Sequence, residues 1–190
     1  MSYSFERLGH YPENAFKEPV AFVKLKAGER LWKLTSHSLI GHGGKISPWW
    51  LPFEPNEQMK SYNKDVLGYS EIERRARNAC NGRVGNHLKE YIRAWGNVCY
   101  DWNGMSNFLL VRADRDLEAV FGRFCYQPII SEKGVAALRK AAGKEPPKSL
   151  LKGELEKTIK GAEVTRFIAG NSICQLWIPG LKMGDLQPVS

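Results

Sequence analysis

A single long stretch with helical periodicity constrains the fold of this chain more than any other feature. Over residues 72–102, apolar and aromatic side chains recur at steps of three and four, which is the spacing of one helix face. Ser70, with Glu73 three positions later, predicts the start of that helix as a capping box. Gly82 and Gly85 weaken its middle, so one long helix and two helices separated by a break are both open.

Strand patterns precede this helical stretch. Residues 19–25 and 30–35 predict two short strands with a turn between them. Residues 45–52 hold two prolines and therefore predict a strand at the edge of a sheet. Residues 1–19 mix prolines with polar side chains and predict an N-terminal arm.

Strand patterns also follow the helical stretch. Residues 108–112 and 119–126 predict two strands with a turn at 114–116, and residues 164–169 and 173–179 predict a final pair around a Gly-Asn turn. Strands in runs on both sides of one helical segment favour an α+β fold over alternating βαβ units. We therefore expect a single compact domain over residues 20–190, with a split antiparallel-type β core and one long, whole or broken, helix.

Positive charge exceeds negative charge, with 28 Lys and Arg against 20 Asp and Glu and a net charge of +8. Residues 60–93 hold eight basic and four acidic side chains, and residues 133–160 hold eight basic and three acidic ones. This surplus favours an anionic partner such as a nucleic acid, a nucleotide or an acidic protein surface. The candidate nucleic-acid-binding residues are Arg74, Arg75 and Arg77. Because acidic residues are interleaved, a solvated helix face is the alternative interpretation.

The four cysteines, at positions 80, 99, 125 and 174, form no CxxC pair, so the spacing predicts free buried thiols and a reducing compartment. The N-terminal residues lack the apolar run of a secretory signal, and no run reaches the roughly 18 apolar residues of a membrane helix. We therefore expect a cytoplasmic protein without a membrane partner. That expectation includes action in the cytoplasm of a target cell after signal-independent delivery.

Two histidines, His37 and His42, flank a glycine-rich turn. Their spacing of five does not match a helical metal motif and no third ligand follows, so no metal site is expected. Imidazole titrates near neutral pH, so the pair is a candidate for acid–base work in a metal-independent nuclease. A basic module that only binds nucleic acid is a related alternative, and locally hydrogen-bonded loop histidines are the simplest interpretation.

Three short segments carry a resemblance to a known family. They are residues 30–36 (RLWKLTS), residues 45–50 (KISPWW) and residues 169–179 (AGNSICQLWIP), with the helical stretch and a strand pair between the second and the third. In this order they resemble the mono-ADP-ribosyltransferase toxin family. In that family a basic or His residue on a leading strand contacts NAD, a Ser at the start of the next strand helps to shape the nicotinamide pocket, and a late-strand Gln or Glu engages the ribose.

The resemblance implies a role for specific residues of this chain. The implied catalytic residues are Gln175, Lys33 (with Arg30 as the alternative basic residue) and Ser47. The implied NAD-binding residues are Arg30, Trp32, Thr35 and Trp49. Gln175 supplies an amide where the family commonly has a carboxylate, and Glu163 on the preceding predicted strand is the alternative source of a carboxylate.

The resemblance also implies a substrate and an acceptor. NAD is the expected substrate, and ADP-ribose is expected to pass to a macromolecule. The net charge of +8 favours a nucleic acid, or a protein associated with RNA or the ribosome, as the acceptor. A toxin-like effector of this kind is expected to have an immunity protein or antitoxin as a partner.

Overall fold

The architecture comes from a computed structural model that describes residues 12, 15–36, 39, 45–79, 88–89, 91–92, 105–124 and 173–189. These residues form seven strands and two helices. In chain order the elements are β1 (Phe16–Leu25), β2 (Arg30–Thr35), β3 (Trp49–Pro52), α1 (Glu57–Tyr62), α2 (Tyr69–Ala79), β4 (Asn107–Ala113), β5 (Leu117–Phe124), β6 (Cys174–Trp177) and β7 (Leu186–Pro188).

The strands form one sheet in the order β1-β5-β6-β3-β2-β4-β7. Every pairing between described strands is antiparallel, so the predicted mixture of helices with an antiparallel sheet is confirmed. Several strands pair with partners far away in the chain, since β1 pairs with β5 and β3 pairs with β6. The sheet therefore depends on contacts that are long-range in sequence.

Two turns at one end of the sheet hold these crossing connections together. The Gly28 N–H donates to the Ala113 carbonyl at 2.8 Å, which joins the β1–β2 turn to the end of β4. The Asp116 carboxylate accepts from the Ala27 N–H at 3.0 Å and from Lys26 Nζ at 3.1 Å. The predicted turn at 114–116 is confirmed. It holds the β1–β2 turn in place and does not close a hairpin, because β4 and β5 are not neighbours in the sheet.

One face of the sheet carries the larger apolar core. Alternation along each strand directs every second side chain to this face, and its largest fully buried members include Trp50, Phe121, Leu25, Leu31 and Leu176. We call it the core face. A smaller cluster of Phe16, Val120 and Phe124 lies on the other face with Trp49 and Trp177 packed against it.

The prediction of an edge strand for residues 45–52 is wrong, because β3 lies between β6 and β2 near the middle of the sheet. Proline loses only its N–H donor, and its carbonyl still accepts hydrogen bonds. Pro48 precedes the strand and accepts from the Ile178 N–H at 2.8 Å. Pro52 ends it and accepts from Trp32 Nε1 at 3.1 Å. The prolines therefore bound a central strand instead of excluding it.

Strand β1 begins at Phe16, three residues before the predicted start, and Phe16 is buried. Its outer edge is covered by α1, a helix that the sequence patterns did not predict. The Lys24 N–H donates to Gln58 Oε1 at 2.7 Å, and the Lys24 carbonyl accepts from Asn56 Nδ2 at 3.2 Å. The Tyr62 hydroxyl also donates to a carbonyl of β1. These side chains replace the partner strand that an exposed edge would otherwise attract.

Helix α2 starts at Tyr69, so Ser70 lies in the first turn rather than before it. The Tyr69 N–H donates to the Phe53 carbonyl at 2.9 Å, which fixes the helix start against the end of β3. A Cβ on Gly68 would lie 2.9 Å from the same carbonyl oxygen, so glycine is required for this close approach. The predicted helix is confirmed as far as Ala79.

The chain divides into two units. The first consists of Met1–Ile72, Met105–Cys125 and Ile173–Ser190 and contains the sheet; the second consists of Glu73–Gly104 and Tyr126–Ser172. In the second, described helical residues at 88–89 and 91–92 fall within the predicted helical stretch. The predictions for His37, His42, Glu163, three of the cysteines, and the segments 133–160 and 164–169 lie outside the described residues. No described helix is both long enough and apolar enough to span a membrane.

Candidate functional site

The three segments that carry the family resemblance lie on adjacent strands. Gln175 is on β6, Trp49 begins β3, and Arg30 and Trp32 are on β2, and the order of these strands in the sheet is β6-β3-β2. Gln175 and Trp32 are 143 positions apart in sequence. Two strand spacings, roughly 10 Å, separate β6 from β2. The fold therefore gathers the predicted residues into one part of the sheet.

The register shows which of these residues share a face. Trp49 lies opposite Trp177, and Leu51 lies opposite Trp32. Continuing the β3–β6 register by two residues places Leu51 opposite Gln175. Side chains of opposite residues lie on the same face of an antiparallel pair, and alternate residues along a strand return to it. Gln175 therefore shares a face of the sheet with Trp49, Trp32 and Arg30. We call this face, which is opposite to the core face, the outer face.

Three rows of side chains cross the outer face, about 7 Å apart along the strands. The first is aromatic and contains the cross-strand pair Trp49 and Trp177. The second contains Gln175, with Gly122 opposite it on β5. The third contains Arg30 with Arg112 directly opposite it on β4. An aromatic wall, an amide and a pair of guanidinium groups thus follow one another in that order.

The aromatic row is held by ring contacts. Trp49 packs edge-on against Phe124, which lies two positions beyond Gly122 on β5, with ring centroids 4.8 Å apart, and Phe16 lies 5.6 Å from Trp49. These rings therefore meet over the row of Gln175. Trp49 and Trp177 are half-buried, so part of each indole remains open to the surface. Such a fixed and partly exposed indole can stack on a flat cationic ring.

Gln175 is 6% exposed, which makes it one of the buried polar side chains of the sheet. It lies between Cys174 and Leu176, both on the core face. Cys174 is free and buried, so the prediction of a buried free cysteine is confirmed at this position. Burial also raises the pKa of its thiol. An amide in such apolar surroundings makes stronger hydrogen bonds than one in water.

Ser47 precedes β3 and is held by the backbone around it. Its hydroxyl accepts from the Trp49 N–H at 3.3 Å, and its carbonyl accepts from Trp50 Nε1 at 2.8 Å. The second bond links Ser47 to a tryptophan of the core face, and the first links it to one of the outer face. Ser47 therefore lies beside the start of the aromatic row.

Arg30 belongs to an aromatic and charged cluster at the other end of β2. Its guanidinium lies 4.3 Å from the centroid of the Phe53 ring and forms an ion pair with Glu54 at 2.5 Å. The Phe53 ring stacks on Tyr69 with centroids 5.0 Å apart, and Tyr69 in turn meets Trp32 edge-on at the same distance. These contacts fix the direction of Arg30, whose side chain is 39% exposed.

Arg112, which no sequence pattern singled out, adds a second positive charge in the third row. Like charges directly opposite each other destabilise a pair of strands unless anionic groups compensate. The Arg112 guanidinium donates to Gln187 Oε1 at 2.9 Å, which satisfies a donor without neutralising the charge. Glu54 already compensates the charge of Arg30, whereas no ion pair with a described carboxylate is found for Arg112. Arg112 is therefore the better suited of the two to a phosphate-type anion.

Lys33 and Thr35 lie on the core face, opposite to Gln175, because they alternate with Trp32 and Arg30 along β2. Lys33 Nζ lies 4.2 Å from the centroid of the Trp50 ring. Burial lowers the Lys33 pKa to about 8. Thr35 is buried at 5% exposure. Of the two basic residues that the resemblance leaves open, the geometry brings Arg30, and not Lys33, to the face of Gln175.

The three candidate nucleic-acid-binding arginines lie on α2. Arg74 and Arg77 are exposed and Arg75 is half-buried. Arg77 forms an i,i+4 ion pair with Glu73, so part of its charge is compensated within the helix. Within the described ranges, no group of three or more His, Cys, Asp or Glu side chains is arranged to hold a metal ion.

Phe53, Tyr69 and Trp177 also belong to the outer face and were missed as site residues. The alternation that placed Trp32 on one side of β2 could have placed Trp177 with Gln175, two positions away. Phe53 follows the end of β3 and Tyr69 begins α2. Their contacts depend on the tertiary fold, so no local sequence pattern identifies them as site residues.

Searches against models of known protein families, curated proteins and solved structures found no match to this chain.

Proposed function

We propose that this protein is an NAD-dependent mono-ADP-ribosyltransferase that binds NAD along the outer face of its sheet. The observation that carries the proposal is the order of the three rows: tryptophans, then Gln175, then the arginine pair. Nicotinamide, ribose and pyrophosphate follow one another in the same order in NAD. This order depends on the strand pairing and supports the family resemblance beyond the order of the motifs along the chain.

Each row suits one part of the substrate. The half-buried indoles of Trp49 and Trp177 offer a surface for the cationic nicotinamide ring. Gln175 is 6% exposed, so its amide oxygen can accept a hydrogen bond from a ribose hydroxyl once the neighbouring aromatic rings move aside. Arg30 and Arg112 can bind the pyrophosphate through charge-assisted hydrogen bonds. The three rows together thus suit three linked groups of one NAD molecule, whereas a single row would suit only one of these groups.

The chemistry that follows is cleavage of the bond between nicotinamide and ribose. Positive charge develops at the anomeric carbon as nicotinamide leaves, and the acceptor then attacks that carbon. An amide cannot neutralise this charge as a carboxylate would, but its carbonyl dipole can stabilise it through the bound hydroxyl. Gln175 therefore has an orienting and electrostatic role in the proposal, without proton transfer to its side chain.

The proposed acceptor is a nucleic acid or a protein bound to RNA, since the net charge of +8 attracts polyanions. Arg74 and Arg77 on α2 are exposed, so their charges can contribute to this attraction. A toxin-like effector role, with an immunity protein or antitoxin as its partner, belongs to the same proposal. A nuclease or a nucleic-acid-binding module is the competing function, and it predicts activity that does not depend on NAD.

The test is transfer of label from NAD labelled in its adenylate half. The protein is incubated with this NAD and a bacterial lysate, and the products are divided between nuclease and protease digestion. Macromolecular label is expected with the wild type. Gln175→Ala removes an interaction worth about 1.5–3 kcal/mol in the charged transition state, so it is expected to lower the rate about 10- to 150-fold.

The matched control is Gln58→Ala. Gln58 is an exposed glutamine of α1 that lies outside the three rows, and its side-chain oxygen accepts a hydrogen bond from the Lys24 N–H at the edge of β1. This variant is expected to retain most of the transfer rate. Circular dichroism and urea unfolding should show that both variants fold. Equal loss of activity in the two variants, or cleavage of RNA or DNA without NAD and without any transfer, would contradict the proposal.

A further inference from the structure

The third row of the outer face continues onto β7, at the edge of the sheet. Gln187 lies directly opposite Arg112, and Arg30 lies opposite Arg112 on its other side, so the three side chains share this face. The Arg112 guanidinium donates to Gln187 Oε1 at 2.9 Å. The row therefore ends with an arginine and a glutamine in direct contact.

The charge of Arg112 is not compensated within this row. Among the residues that the structure describes, no carboxylate forms an ion pair with Arg112, whereas Arg30 pairs with Glu54. A guanidinium carries five N–H donors, and the bond to Gln187 Oε1 uses one of them. Arg112 is exposed, so its remaining donors are accessible to a ligand in solution.

The direction of the Gln187 amide follows from the same contact. A guanidinium can only donate hydrogen bonds, so the amide presents its oxygen to Arg112. The Nε2 group is bonded to the same carbon as Oε1, so it lies beside the guanidinium with two N–H donors of its own. Gln187 is exposed as well. Donors of two adjacent side chains therefore lie close together at the surface.

The backbone that carries Gln187 is held in place although β7 has only three residues. The Asp114 N–H donates to the Asp185 carbonyl at 2.9 Å, which joins the chain just before β7 to the end of β4. The Asp185 carboxylate is buried at 7% exposure and accepts from Arg115 Nε at 2.7 Å. These contacts keep Gln187 opposite Arg112.

We propose that Arg112 and Gln187 together bind one phosphate-type anion, to which the Arg112 guanidinium and the Gln187 Nε2 group both donate. The Gln187 oxygen orients the guanidinium, and the neutral amide leaves its positive charge intact. A glutamate at this position would also accept from Arg112, but it would compensate the charge and offer no donor. The inference rests on the proposed function in one respect, since it takes the pyrophosphate of NAD as the anion.

The test is calorimetric titration of inorganic pyrophosphate into the whole protein at about 0.15 M salt. Gln187→Glu is expected to raise the dissociation constant at least about tenfold, because it removes a donor and compensates the charge of Arg112. Gln187→Ala removes only a neutral amide and is expected to raise the constant about 2- to 10-fold. Arg112→Met removes the cation itself and is expected to raise it at least about tenfold.

The matched control is Gln58→Glu, which makes the same chemical change on α1. Gln58 is exposed, and its Oε1 accepts from the Lys24 N–H, a role that a glutamate keeps. Helix α1 covers β1, which lies six strand spacings, or roughly 29 Å, from β7. This separation exceeds the screening length of about 8 Å, so the control should bind pyrophosphate within about twofold of the wild type.

Urea unfolding separates a binding role of Gln187 from a structural one. Gln187→Glu is expected to be at least as stable as the wild type, since the new carboxylate can pair with Arg112. Equal effects of Gln187→Glu and Gln58→Glu, or no pyrophosphate binding to the folded wild type, would overturn the inference. Pyrophosphate binding that depends on Gln187, without any binding of NAD, would support the anion site and contradict the proposed function.

Discussion

The substitution Gly122→Ala tests the packing on the outer face beside Gln175. Gly122 lies opposite Gln175 on β5, and a Cβ at this position would lie 3.0 Å from Phe16 Cδ1 and 3.2 Å from Val20 Cγ1. Ordinary contacts between carbon atoms are about 3.5–4.0 Å, so the Phe16 ring would have to shift by a few tenths of an ångström.

The Phe16 ring has little room for such a shift. It is 2% exposed, and its centroid lies 5.6 Å from that of Trp49 and 5.5 Å from that of Phe124. Overpacking of this kind costs about 1–3 kcal/mol, and replacing a strand glycine by alanine returns about 0.5–1 kcal/mol. Gly122→Ala should therefore lower the free energy of unfolding by about 0–2.5 kcal/mol.

The assay is urea unfolding followed by tryptophan fluorescence, applied to a double-mutant cycle with Phe16→Leu. The smaller and more flexible leucine should relieve the contact, so Gly122→Ala should cost at least about 0.5 kcal/mol less in the Phe16→Leu background. Gly28→Ala serves as the comparison, since Gly28 has a φ of +92° but a Cβ there would meet no atom within 4 Å. Its cost should not depend on Phe16. A Gly122→Ala variant that is more stable than the wild type, or a cycle without coupling, would refute this packing.

Two further predictions concern the connections of the sheet. Backbone and lysine donors lower the Asp116 pKa to about 2, so its contribution to stability is present above the ordinary carboxyl pKa near 3.8 and is lost as the pH falls toward 2. Asp116→Asn should therefore lower the melting temperature at pH 6 and flatten its decline between pH 4 and 2; an unchanged acid profile would contradict this role. Gly68→Ala should cost about 1–3 kcal/mol, because its Cβ would press against the Phe53 carbonyl. Urea unfolding measures this cost, and a neutral result would mean that α2 does not start as described.

Strands β1, β2, β4, β5 and β6 and the first turns of α2 were accessible from the sequence because they depend on local patterns, whereas α1 and β7 were not predicted. Strand β4 and the turn after it match the alternation and the charged turn residues at 107–116. The central position of β3 could not be predicted from the sequence. Its prolines show that N–H donors are missing, but they do not show which donors elsewhere will bind the proline carbonyls. Pro48 and Pro52 became compatible with a central strand only through donors on Ile178 and Trp32, which lie in other parts of the chain.

In the candidate site, too, the residue types could be predicted from local sequence patterns, but their arrangement could not. Short motifs identified Gln175, Trp49 and Arg30 as residues of interest, since amides, tryptophans and basic groups have recognisable chemistry. Their grouping on one face depends on a strand order that brings residues far apart in sequence together, and no local pattern encodes that order. Alternation along β2 already separated Lys33 from Trp32, but it could not show which of the two faces Gln175 would share.

The central claim is that NAD binds the outer face, and calorimetric titration of NAD into the wild type, Arg30→Met and Lys33→Met tests it most directly. Both substitutions remove one positive charge from β2, but from opposite faces of the sheet. The account predicts saturable binding to the wild type. Arg30→Met loses a charge-assisted hydrogen bond of about 1.5–3 kcal/mol, so its dissociation constant should be about 10- to 150-fold higher, with a clearly smaller change for Lys33→Met. Absence of binding to the folded wild type, or equal weakening by the two substitutions, would contradict it.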